Sequence, residues 1–144
     1  MKSMLLGLVI IALPVFAERK VSRNALPPAV AAAADKEAQG ATIKGYSKEV
    51  EDGKTFYEVE TVRNGKTRDL LLDSSGAVAE VEEEIEMSSL PDAVQKGLRS
   101  AARKGKITKV ETVRKGASTS YEAIVRHGLK NSEIKVDGEG KVVK

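Results

Sequence analysis

Residues that commonly carry chemistry are thinly spread in this chain. It has one histidine, His127, and no cysteine. A zinc site or an activated nucleophile needs several such groups near one another. His127 is therefore expected to be a solvated residue at a strand end. Ser74, Ser75, Ser118 and Ser120 lie near turns, and no G-x-S-x-G elbow surrounds any of them. Asp73 and Asp137 open the turns DSSG and DGEG. A calcium loop needs oxygen ligands at several spaced positions and a closing bidentate glutamate. After Asp137 only Glu139 stands before the next strand, so turn preference accounts for both aspartates. No catalytic residue, metal ligand set or cofactor is expected, and the chain does not read as an enzyme.

The acidic run EVEEEIE, Glu80 to Glu86, leaves three readings open. It suits a solvated strand edge, where charge discourages edge-to-edge pairing. It also suits a docking strip for a basic partner. A loose divalent-ion site is the third reading, carried by Glu80, Glu82, Glu83, Glu84 and Glu86 with the Asp73 and Asp137 turns.

The chain begins MKSMLLGLVIIALPVFA. A basic start, an apolar stretch and a small residue at the end form the pattern of a secretory signal peptide over residues 1–17. The alternative, a membrane anchor, needs about 20 apolar residues, and the run from Met4 to Ala17 is shorter. Cleavage after Ala17 leaves residues 18–144 with no stable membrane span, in a periplasmic or secreted location. That portion carries 23 basic and 21 acidic side chains. No lysine or arginine block follows a phosphate backbone, so nucleic acid is not an expected partner. Without cysteine the fold has no disulfide support and must rest on a packed core.

The chain also repeats itself. Slid by 64 positions without a gap, residues 26–80 match residues 90–144 at 13 of 55 places. Leu26-Pro27 falls on Leu90-Pro91, Ala29-Val30 on Ala93-Val94, Tyr57-Glu58 on Tyr121-Glu122, Asp73 on Asp137 and Gly76 on Gly140. Duplication of one structural unit explains this. The expected organisation is an N-terminal segment at 18–25, a first unit at 26–86 and a second at 87–144.

Each unit opens on a helix. Pro27 and Pro28 suit a first turn, and Gly40 suits a stop. In the second unit Val94, Leu98, Ala101 and Ala102 recur at helical spacing, with Lys96, Arg99 and Arg103 opposite. Ser88 or Ser89 is the expected cap and Gly105 the expected end. Strands are expected at 42–50, 55–63, 66–73 and 77–84, then at 106–114, 119–127, 130–136 and 141–144. Asn64-Gly65 is the clearest hairpin signal. The fold class is α+β: a helix and four antiparallel strands, twice, with the option of one continuous eight-stranded sheet. Val81 to Met87 then reads as an extension of the fourth strand.

Alternation along the strands divides the two faces. Tyr57, Val59, Thr61, Leu70 and Leu72 are assigned to the helix side, with Tyr121, Ala123, Val125, Ile134 and Val136. The uncovered side is expected to present Tyr46, Phe56, Glu58, Glu60 and Val62, together with Glu122, Ile124 and Arg126. These eight are the candidate partner-binding residues, since apolar and aromatic side chains on a charged face often anchor interfaces. Packing of the same residues under a neighbouring strand, the other unit or the segment 18–25 is the alternative.

LP-x-AV at a helix start, a YEVE strand and a hairpin into LLLD-x-x-G-x-V resemble the PepSY and PepSY-like domains of exported bacterial proteins. The second unit shows the same elements as LPDAV, YEAIV and IKVDGEGKV. The tandem plan is also similar to the beta-lactamase inhibitory protein fold. The resemblance implies a non-catalytic protein-binding module that restrains a peptidase or engages another envelope protein. It departs from the inhibitor in having neither cysteine nor tryptophan.

Overall fold

The structure, a computed structural model, describes residues 18–143. The expected signal peptide at 1–17 lies outside the described residues. In chain order the elements are β1 (Arg19–Val21), α1 (Pro28–Glu37), β2 (Thr42–Glu51), β3 (Lys54–Arg63), β4 (Lys66–Asp73) and β5 (Val78–Glu84). Then follow α2 (Asp92–Ala102), β6 (Lys106–Lys115), β7 (Ser118–His127) and β8 (Lys130–Val136). All eight strands form one antiparallel sheet whose spatial order is the chain order.

The helices start where proline places them. Pro27 and Pro91 occupy the cap positions with extended backbone, and Pro28 supplies the first turn of α1. A proline there loses no helical hydrogen bond, because the first amides have no partner in any case. Ser88 and Ser89 are not caps. They lie in a short 3-10 turn, Met87–Ser89, ahead of Pro91. α2 ends at Ala102, and Gly105 instead closes the turn behind it, its N–H donating to the Ala102 carbonyl at 2.8 Å.

Both helices pack on the same side of the sheet. α1 buries Val30 and Ala34 against Tyr57, Val59, Leu70 and Leu72. α2 buries Val94, Leu98 and Ala102 against Val110, Ala123, Val125 and Val136. Fully burying a valine or leucine contributes about 1.5–3 kcal/mol, so this layer is the main source of stability. The Asp-x-x-Gly turns press onto the helices: a Cβ on Gly76 would strike the Ala29 carbonyl, and one on Gly140 the Ala93 carbonyl. Both glycines have positive φ, 83° and 78°, so neither space nor backbone favours another residue. The two cores are separated on this side by an ionic cluster. Glu83 accepts from Arg68 at 3.0 Å and pairs with Arg114 at 2.9 Å.

Two expectations about the sheet need correction. The fourth strand of the second unit, 141–144, is only an isolated bridge between Val136 and Val142. The eighth strand comes instead from the N-terminal segment, where Arg19–Val21 pairs with Tyr46–Lys48 on β2. The centre of the sheet forms by edge pairing of β5 with β6, from Val81↔Arg114 to Glu84↔Glu111. The Ile85 N–H continues this with a 3.0 Å bond to the Val110 carbonyl. Of the expected extension Val81 to Met87, only the part up to Glu84 is strand, and Met87 already opens the 3-10 turn. Pairing here removes two exposed edges.

Tyr46 is the second correction. β2 is bulged between Ile43 and Gly45, leaving Lys44 as the extra residue. One extra residue flips every later side chain to the other face. Tyr46 therefore pairs with Val59 and packs on the helix-side core instead of the uncovered face. β6 carries a bulge at the corresponding place, between Ile107 and Lys109.

Candidate functional site

No described element packs on the second face of the sheet. Strand pairing puts Phe56, Glu58, Glu60 and Val62 of β3 there, and Glu122, Ile124 and Arg126 of β7. Seven of the eight candidate residues thus share this face, and Tyr46 is the exception. The register also brings in residues that alternation had not singled out. Glu60, Asp69 and Glu82 lie side by side across β3, β4 and β5. Glu84, Glu111 and Glu122 form the next row across β5, β6 and β7. Glu49 faces Phe56, and Glu80 faces Leu71.

This face is more enclosed than a solvated surface. Glu111 is 3% exposed and Glu122 8%, and Ser47 and Val113 on the same side are 1% and 2% exposed. Carboxylates held this tightly need partners. Thr67 donates through its hydroxyl to Glu111 at 3.2 Å and through its N–H to Glu84 at 3.0 Å. Lys109 lies 2.6 Å from Glu111, and Lys135 lies 3.4 Å from Glu122. Lys20 of β1 bonds Glu60 and sits 3.2 Å from Glu18. The Ser47 hydroxyl donates to Glu58 at 2.9 Å, and the Thr61 N–H to Asp69 at 3.1 Å.

The cations are too few for the carboxylates. Burial pushes the Glu58 carboxyl up to about 7, against the bond from Ser47. Burial, then the charges of Glu122 and Glu111, then Glu80, push Glu82 up to about 9. Asp69, Glu122 and Glu49 are also raised, each first by burial. Near neutral pH the face therefore holds protons on some carboxyls while others stay ionised. Oxygens of Asp69, Glu82 and Glu111 lie within 4.8 Å of one another, as do those of Glu18, Glu58 and Glu60. A depression of about 90 Å³ opens among Glu49, Glu58, Asp69, Glu80 and Glu82. Chemically, such a surface accepts cations and hydrogen-bond donors.

The remaining residues of interest sit elsewhere. His127 is exposed at the end of β7, its ring over Gly105. The Asp73 carboxylate accepts from the Ser75 N–H at 2.8 Å, the Ser75 hydroxyl at 2.6 Å and the Ala77 N–H at 3.1 Å. Asp137 accepts likewise from the N–H groups of Glu139 and Lys141. Both aspartates are turn formers. Glu86 is exposed and paired with Lys66 at 2.7 Å, and Glu83 lies on the helix side. Of the acidic run only Glu80, Glu82 and Glu84 contribute to the uncovered face.

An eight-stranded antiparallel sheet with both helices on one side is an α+β fold of BLIP-like plan. A BLIP-like protein from Bacteroides fragilis matches with a TM-score of 0.54 at 19% identity, over 81% of this chain and 82% of that one. A DUF2874 family protein from Bacteroides uniformis matches with a TM-score of 0.61 at 18% identity, over 82% and 86%. A protein from Bacteroides eggerthii described as periplasmic matches with a TM-score of 0.64 at 17% identity, over 83% and 86%. These likenesses are of fold. No family model matches the sequence, and no curated protein does. Among the described residues no helix is long and apolar enough to cross a membrane.

Proposed function

We propose that this chain is an exported, non-catalytic binding module of tandem PepSY-like plan. It engages a protein partner, a peptidase or another envelope protein, through the uncovered sheet face. The observation that carries the reading is that face itself: rows of crowded carboxylates beside Phe56, Val62 and Ile124, with no described element over them. An acidic field with a few apolar anchors selects a partner that presents lysines or arginines around an apolar contact. The periplasmic description of one fold neighbour agrees with the leader-like start of the sequence. Positions 64 apart do matching work in the two halves: Val30 and Val94 are both buried under the sheet, and both units carry the early bulge. This supports duplication, with units at 26–86 and 87–144.

The test is capture of envelope proteins on the immobilised chain, against a Phe56→Ala/Ile124→Ala variant. Both residues are half-buried on the bare face, so the fold survives the change. One dominant protein lost by the variant supports the reading. Equal capture by both proteins removes the face from consideration.

A second reading, a periplasmic protein that binds a divalent ion or small ligand, is favoured by one observation. Oxygens of Asp69, Glu82 and Glu111 converge within 4.8 Å. It predicts a rise in Tm on adding millimolar calcium, by mass action on the folded state. An unchanged Tm across calcium, magnesium and zinc disposes of it.

A further inference from the structure

β8 matches β4 in sequence but stands uncovered. A shift of 64 places Lys66–Asp73 on Lys130–Asp137, so Leu70 and Leu72 fall on Ile134 and Val136. No residue of β4 is exposed, and β5 pairs along its outer side from Arg68↔Glu83 to Leu72↔Val78. On β8, Lys130, Asn131, Ser132 and Glu133 are all exposed, and Ile134 is half-buried where Leu70 is fully buried. Beyond the Val136↔Val142 bridge, the last outer contact among the described residues is the Val143 N–H on the Lys135 carbonyl at 3.0 Å. Lys135 therefore directs its backbone groups outward. β7 and β8 pair without a bulge from Tyr121↔Val136 to His127↔Lys130, so Glu133 and Asn131 direct theirs outward too. Exposed apolar side chains flank this opening, Leu129 at one end and Val142 at the other. The opposite edge of the sheet is different. β1 is three residues long and carries Arg19 and Lys20, features that deter pairing.

We propose that the outer edge of β8 accepts an antiparallel strand from a partner protein, acidic and with an apolar residue opposite Ile134. This is a second surface, apart from the bare face, and β5 is the template for its occupant. Val81 lies opposite Leu70 and packs on the α1 core, so its equivalent covers Ile134. The next position falls opposite Glu133 and takes an uncharged residue, since like charges across a strand pair repel. The positions opposite Ser132 and Asn131 take acids. Arg126 stands beside Asn131 on β7, and among the described residues neither it nor Lys130 has a carboxylate within 4.0 Å. The outward backbone groups of Asn131 and Glu133 supply the attachment, the mode by which an extended segment adds to a sheet edge. A second copy fits less well. Two antiparallel β8 strands with Asn131 opposite Glu133 set Lys130 against Ile134 and leave that apolar residue without an apolar cover.

Amide hydrogen exchange, followed by NMR on the exported, processed chain, tests this with the hexapeptide VTEEIE. The peptide is residues 81–86 with Glu82→Thr, which spares Glu133 a like charge. At about 1 mM peptide, a concentration that half-fills a site with a Kd of that order, exchange at the Asn131 and Glu133 amides is expected to slow about twofold. The peptide VTKKIK, with lysine at each acid, is expected to leave both amides unchanged. The variant Glu133→Pro removes one outward N–H and keeps the bonds to β7, a change that edge strands tolerate. It also removes a negative charge beside the acidic peptide, so charge alone would strengthen binding. The slowing at Asn131 is nevertheless expected to disappear in this variant. Unchanged exchange at both native amides overturns the proposal. So does an equal effect of VTKKIK, or slowing at Asn131 that persists in Glu133→Pro. Protection of these amides that grows with protein concentration, without peptide, gives the edge to a second copy and overturns it as well. None of these outcomes bears on the bare face, which is read separately by capture with Phe56→Ala/Ile124→Ala.

Discussion

Replacing Glu82 with glutamine should stabilise this protein at alkaline pH and leave it unchanged in mild acid. The side chain stands on β5 with Asp69 beside it on β4 and Val113 on β6. Glu80, Glu111 and Glu122 act on it from the same face, and burial and these carboxylates raise its carboxyl to about 9. Glu58, buried beside Ser47, is raised to about 7. A carboxyl whose pKa is higher folded than unfolded binds more protons in the folded state. Stability must then fall as pH rises. The contribution is fully present below the unfolded value near 4.5, and it is lost as pH climbs through about 7 for Glu58 and about 9 for Glu82.

The size follows from about 1.4 kcal/mol for each unit of difference. Glu58 corresponds to about 3 kcal/mol when fully ionised and Glu82 to about 6 kcal/mol. Both are ceilings, since an ionised side chain can swing toward water and Lys109, Lys115 and Lys135 stand near the cluster. A loss of about 3 kcal/mol between pH 5 and pH 9 is expected, a large part of the 5–15 kcal/mol that domains possess. Glutamine keeps the shape and removes the charge. At pH 8 Glu82→Gln should recover about 2 kcal/mol, which moves a urea midpoint up by about 1 M. At pH 5 the two midpoints should coincide. The assay is urea unfolding followed by circular dichroism at several pH values. Native stability that stays level or rises from pH 5 to pH 9 would refute the reasoning, as would a Glu82→Gln midpoint no higher than native at pH 8.

Other substitutions probe the layers separately. Leu98→Ala empties the centre of the α2 core and should cost about 2–5 kcal/mol, seen as a Tm lower by roughly 10 °C. Gly97→Ala drives a Cβ into the backbone of Gly140, and neither the helix nor the turn can yield cheaply. A loss of about 2 kcal/mol or more in urea unfolding is expected, whereas Lys96→Ala next to it should stay within about 0.5 kcal/mol. Tyr46→Ala and Phe56→Ala should separate in the same assay. Tyr46 packs on the helix-side core and should cost about 2–3 kcal/mol, while Phe56 on the bare face should cost about 1 kcal/mol or less. Equal losses would contradict the face assignment.

The contrast between Tyr46 and Phe56 also marks where the fold was legible in the sequence. Period-two alternation from Phe56 to Arg63 survives intact, because β3 pairs with β4 without interruption from Phe56↔Asp73 to Arg63↔Lys66. Asn64-Gly65 fixes that register, and both residues take positive φ, 52° and 77°. β2 has no such protection. Its bulge consumes Lys44 and inverts the faces beyond it, and a bulge leaves only a faint trace in residue types. Gly45 is that trace. It stands directly after the extra residue and faces Glu60, where a side chain would meet the carboxylate. The acidic rows were hidden for a related reason. Asp69, Glu82 and Glu111 are far apart in the chain and become one cluster only through two successive registers across β4, β5 and β6. The repeat held a further clue to the site. Glu58 and Glu122 are identical at a spacing of 64, although strand positions on a solvated face are free to vary in charge. Both turn out to be raised by burial on the bare face. A carboxyl kept in both halves, at a place where burial works against its charge, adds nothing to packing that an alanine would not. Each meets its partner within the chain, Glu58 in the Ser47 hydroxyl at 2.9 Å and Glu122 in Lys135 at 3.4 Å.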